Sequence, residues 1–78
     1  MKDQFLLFFR NEIVSTCRIR RADAENGILC FAAVRGSMAF LSGELAVAGV
    51  LGIITYSEWE EFNGVLSVIE DEFYDMVR

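Results

Sequence analysis

Seven of the twelve acidic residues of this 78-residue chain fall in its last third: Glu58, Glu60, Glu61, Glu70, Asp71, Glu72 and Asp75. Carboxylates at that density can bind cations, exchange protons or meet a basic surface. The first two roles need particular company. Glu70, Asp71, Glu72 and Asp75 lack the spacing of an EF-hand loop or a facial triad, so neither metal nor cofactor is expected. The chain has no His. That removes Ser-His-Asp and Cys-His catalysis, the zinc-protease helix motif and the usual acid/base at neutral pH. Cys17 and Cys30 are the only thiols, too few for a four-ligand zinc site. They could form one disulfide; with no secretory signal ahead of them, two reduced thiols in a cytoplasmic protein are expected. The six glycines fit neither the dinucleotide fingerprint nor the phosphate loop. The chain reads as a non-enzyme.

Contact with another protein is what the carboxylates retain. Asp71, Glu72 and Asp75 fall near the end of an expected helix, where the macrodipole opposes negative charge, and they repel each other at spacings of three and four. A local rule broken without compensation marks a binding surface. Glu61, Asp71, Glu72 and Asp75 are the expected contacts to a host protein with a basic surface. The plain alternative is a solvated face that confers solubility.

Charge is polarised. Residues 1–21 carry a net +3 and residues 55–78 a net −6, within an overall −5. Arg18, Arg20 and Arg21 could touch phosphate. They fit better as a charged strand edge that blocks aggregation or pairs with the acidic helix of a neighbouring subunit. Direct nucleic-acid binding is not expected from a net-negative body.

The elements that must position these groups make up one domain, residues 1–78, since this length allows no more. Residues 3–20 are rich in aromatic and β-branched side chains around Asn11-Glu12 and read as a β-hairpin. A helix over the same residues is the alternative, because short apolar runs have ambiguous periodicity. In the hairpin, Phe5, Leu7 and Phe9 share a face with Val14 and Thr16. A ribbon this small cannot cover both its faces, so Phe5, Leu7 and Phe9 are the expected interface of a homodimer.

Residues 23–51 show a helical stripe: Phe31, Val34, Met38, Leu41, Leu45 and Ala48. A second row of small residues, Ala32, Gly36, Ala39, Gly43 and Ala46, is either ordinary packing or a dimer seam. A variant makes residues 28–34 a third strand after an Asn26-Gly27 turn. The longest uncharged apolar piece, 45–57, has thirteen residues. A membrane span needs about 20, so no membrane is expected.

Residues 55–78 open on a capping box, with Thr55 as N-cap and Glu58 at the third helical position, and on a hydrophobic staple of Ile54 and Trp59. Trp59, Phe62, Leu66, Ile69, Phe73 and Met76 continue as a stripe. Gly52 suits the left-handed position past the preceding helix. The short joint folds the two helices into an antiparallel hairpin. The expected class is α+β, a β-hairpin packed on a helix hairpin in the order ββαα.

At residues 22–62, and most clearly in Gly49-Val50-Leu51-Gly52-Ile53-Ile54-Thr55 followed by Glu58-Trp59, the sequence resembles small accessory proteins of enterobacterial phages and prophages. The resemblance implies a mobile-element accessory protein and carries no site residue with it. Joined to the acidic helix and the missing catalytic groups, it suggests a phage- or plasmid-encoded factor. Such a factor would inhibit or modulate a host nucleic-acid-handling, defence-type protein in the host cytoplasm. The alternative is a homo-oligomeric structural protein with no nucleic-acid-related target.

Overall fold

The computed structural model describes residues 1–77. Three helices follow one another: α1 (Lys2–Glu25), α2 (Phe31–Val50) and α3 (Tyr56–Met76). Among the described residues there is no strand. The chain is all-α, and the expected α+β class with its N-terminal hairpin is wrong.

The physical reason lies in what burial offers residues 3–20. Phe5, Phe9, Ile13 and Cys17 recur every four residues, so one helical face gathers all of them. Phe9 is fully enclosed in the core, and Phe5, Ile13, Cys17 and Ala24 of the same helix pack against that core along its length. A hairpin through the weak Asn11-Glu12 turn would have left one apolar face bare. A helix divides the same residues between core and solvent. The modest helix propensity of Ile13, Val14, Thr16 and Ile19 is overridden by that tertiary contact.

The variant strand at 28–34 is also absent. Asn26-Gly27 ends α1 instead of turning a hairpin. Gly27 takes a φ of 72°. Its N–H donates to Ala24 O at 3.0 Å, and the Ile28 N–H donates to Asp23 O at 2.9 Å. This is the Schellman pattern of a helix stop. Leu29 is buried, Cys30 is extended as the N-cap, and α2 begins at Phe31.

The same device closes α2. Gly52 has a φ of 72°; its N–H reaches Gly49 O at 3.1 Å, and the Ile53 N–H reaches Ala48 O at 2.9 Å. Two residues later the capping box opens α3. The Glu58 N–H donates to Thr55 Oγ1 at 3.1 Å, and the Thr55 N–H donates to Glu58 Oε1 at 2.8 Å. Ile54 is buried, and Trp59 packs against the cluster Ile54 belongs to. α2 and α3 form the expected helix hairpin, and theirs is the most extensive helix contact in the chain.

α1 completes a three-helix layer, parallel to α3 and antiparallel to α2. Lys2 meets Glu58 where α1 and α3 begin. Phe9 packs edge-to-face on Phe62, centroids 5.2 Å apart, while stacking on Phe5 at 5.4 Å. Val34, Met38, Leu41, Leu45 and Ala48 of α2 and Leu66 and Phe73 of α3 fill the centre. Phe31, the first residue of the expected α2 stripe, is exposed and lies against Tyr74 with centroids 5.6 Å apart.

Candidate functional site

Glu61, Asp71, Glu72 and Asp75 are all exposed on α3. They do not form one patch. Glu61 lies ten residues before Asp71, about 15 Å along the helix axis. Gly64, Val65 and Val68 are exposed between them. Asp71, Glu72 and Asp75 do come together on the last two turns, and they are the site's acidic end.

Charges of both signs from α1 come near that end. Arg21 and Glu25 of α1 line one groove with Asp75 between the C-terminal ends of α1 and α3. Arg21 and Glu72 both act on the half-buried Cys17. Burial raises the thiol's pKa, the Arg21 guanidinium lowers it and the Glu72 carboxylate raises it. α1 and α3 run parallel, so a cation from residue 21 arrives where the macrodipole of α3 works against its carboxylates.

The basic cluster of the sequence disperses. Arg18 points to solvent. Arg20 turns inward: one nitrogen lies 3.2 Å from Asp23 Oδ2 and another donates to Ser37 Oγ at 3.4 Å. Its Nε is buried without a hydrogen-bond partner. Arg21 is exposed and lines the groove that also holds Glu25 and Asp75. A shared strand edge of Arg18 and Arg20 does not exist on a helix.

Phe5, Leu7 and Phe9 separate in the same way. Phe9 is fully buried, Phe5 is half-buried against it, and Leu7 is 65% exposed on the other side of α1. Cys17 and Cys30 are free thiols, and no three residues of metal-binding type gather among the described residues.

One surface was visible in the sequence only as an undecided row. The outward face of α2 exposes Ala32, Gly36, Ala39, Gly43 and Ala46, together with Phe40, Val47 and Val50. Its flank toward α1 opens into a groove of about 540 Å³ lined by Phe5, Phe40, Gly43, Glu44 and Val47. Glu44 tucks back toward α1 with Oε1 buried and unpartnered. Burial raises its carboxyl pKa, and the Glu12 carboxylate raises it further. By length and composition alone α2 is long and apolar enough to cross a membrane, although the core helix of a small bundle satisfies the same criterion.

No family model, curated protein or solved structure matches the chain.

Proposed function

We propose that this chain is a non-enzymatic protein-binding factor whose acidic end on α3 meets a basic surface of a host protein. The observation that carries the reading is the exposure of Asp71, Glu72 and Asp75 on consecutive turns, next to a groove shared with α1. Clustered like charge favours a partner of opposite sign and speeds its encounter. A protein that handles nucleic acid carries such a basic surface. Read with the phage-accessory likeness proposed for residues 22–62, this supports a factor that acts in the host cytoplasm and modulates or inhibits a nucleic-acid-handling target of the defence type. Glu61 is a secondary contact, reached only by a partner that spans about 15 Å of α3.

The test is capture from an enterobacterial lysate at low and moderate salt, with wild type and with Asp71→Lys/Asp75→Lys as bait. Both positions are exposed, so the variant keeps its helical circular-dichroism spectrum. A near-stoichiometric, salt-sensitive host protein held by wild type and lost by the variant supports the reading. Equal capture by both baits at both salt concentrations removes it.

A further inference from the structure

We infer that the seam between α1 and α2 is a pH-sensitive clasp: with Glu44 protonated α1 closes on α2, and with Glu44 ionised the seam loosens. The first observation is the place of that carboxyl. Glu44 Oε1 has no access to solvent and no hydrogen-bond partner. An oxygen with neither water nor a donor is costly to charge, so its position favours the neutral acid. The surroundings are apolar. Phe5 of α1, Val47 and Ala48 of α2 and Ile53 of the joint line the groove beside Glu44, and no residue of α3 does.

The second observation is what stands opposite. α1 and α2 run antiparallel, and Arg20 Nη1 donates to Ser37 Oγ at 3.4 Å. Glu44 lies seven residues beyond Ser37, and Glu12 lies eight residues before Arg20. Both helices rise about 1.5 Å per residue, so the two glutamates come nearly level across the seam. Both are half-buried. No cation joins them. The residues one turn from Glu12 on α1 (Phe8, Phe9, Ser15 and Thr16) and from Glu44 on α2 (Phe40, Leu41, Val47 and Ala48) carry no charge. Lys2 pairs with Glu58 and Arg20 with Asp23. Arg21 lines the groove with Asp75, and Arg10, Arg18 and Arg35 are exposed. Glu44 therefore faces one like charge from α1 and no opposite charge.

The sense of the pH dependence follows from that placement. Burial, then Glu12, raises the Glu44 carboxyl above its ordinary range. In the unfolded chain a glutamate titrates near 4.3. Between that value and the raised folded one, the folded protein holds the extra proton, so stability falls as pH rises. The loss is complete once Glu44 is ionised in the folded chain. It is felt at the α1–α2 seam, where the two carboxylates repel. α2 and α3 stay joined through the more extensive contact, so α1 is the helix that opens. The inference is independent of the acidic end on α3.

Urea unfolding of wild type and Glu44→Gln, from about pH 8 to pH 4, tests the clasp. The amide keeps the size of the side chain and removes its charge. Glu44→Gln has the higher urea midpoint at neutral pH, and the difference shrinks toward pH 4 as wild type takes up its proton. Glu58 is present in both proteins, so its own titration cancels from the difference. Glu12→Gln tests the seam from the other side: it also raises the midpoint at neutral pH, and it weakens the pH dependence of a protein that keeps Glu44. Amide hydrogen exchange locates the effect. In wild type the protection of α1 rises more between pH 7 and pH 5 than that of α2 and α3, and in Glu44→Gln this excess is lost. A midpoint difference that stays constant from pH 8 to pH 4 overturns the inference, because Glu44 then takes up no proton on folding. Protection that rises equally in all three helices overturns the assignment to the α1–α2 seam.

Discussion

Lys2 Nζ lies 2.9 Å from Glu58 Oε1, joining the first turn of α1 to the first turn of α3. The same carboxylate oxygen accepts the Thr55 N–H at 2.8 Å and so completes the capping box. One side chain starts a helix and registers another beside it. The pair sits where the parallel α1 and α3 both begin, and that direction carries Arg21 to the acidic end some five turns later.

Glu58 makes stability depend on pH in a defined window. The Thr55 backbone N–H first, and then Lys2, hold its pKa down to about 2. An unfolded glutamate titrates near 4.3. A depressed carboxylate contributes stability above the unfolded pKa and loses it as pH falls through the folded one. Wild type is therefore more stable than Glu58→Gln at pH 7, and the gap narrows between roughly pH 5 and 2. Urea unfolding of both proteins across that range measures it. A gap of constant size would assign the effect to packing rather than charge.

Thr55→Ala removes the other half of the box. The Glu58 N–H loses its side-chain acceptor, at a cost of about 1 kcal/mol for a typical N-cap. In a domain of this size that lowers Tm by about 4–8 °C. The change should appear as a shifted urea midpoint with an unchanged slope. A Tm equal to wild type would mean that the Thr55 hydroxyl is not needed to start α3.

The joint between α2 and α3 was legible because its signals are local. Gly52, Ile54, Thr55, Glu58 and Trp59 announce a stop, a staple and a start within eight residues. The stripes at 38–48 and 59–76 have no competing reading. α1 was ambiguous for an equally concrete reason. Phe5, Phe9, Ile13 and Cys17 fit a helical face, yet alternation with β-branched neighbours fits a strand. Only the space beside Leu41, Leu45 and Phe62 decides between them, and that space is made by α2 and α3. The groove that Arg21 shares with Asp75 was hidden for the same reason, since it depends on which way α1 runs. Glu61 looked like a member of the acidic site because sequence distance says little about distance along a helix face.

Two glycines should respond to alanine with opposite signs. Gly52 holds a φ of 72°, where a Cβ is strained, so Gly52→Ala destabilises by about 1 kcal/mol. Gly64 sits inside α3 in the open, so Gly64→Ala stabilises by about 0.5–1 kcal/mol. Paired urea midpoints check both. Shifts of the same sign would contradict the placement of the α2 stop at Gly52 or of Gly64 within a regular helix.

Phe9 and Leu7 test the fold of the first third most directly. On a hairpin they share a face and should respond alike to truncation. On a helix they stand about 200° apart. Phe9 is enclosed between Phe5 and Phe62, and Leu7 is 65% exposed. Phe9→Ala therefore removes a buried ring at a cost of about 3–5 kcal/mol. That is comparable with the whole stability of a domain this small, about 3–5 kcal/mol, so the variant is largely unfolded at 25 °C. Leu7→Ala should stay within about 0.5 kcal/mol of wild type. Because an unfolded variant yields no midpoint, Phe9→Leu supplies the graded comparison. It keeps an apolar side chain while losing the edge-to-face contact with Phe62, and its midpoint should fall below that of Leu7→Ala. Similar midpoints for Phe9→Leu and Leu7→Ala would mean that the two residues share an environment. No helix through residues 5–9 provides one.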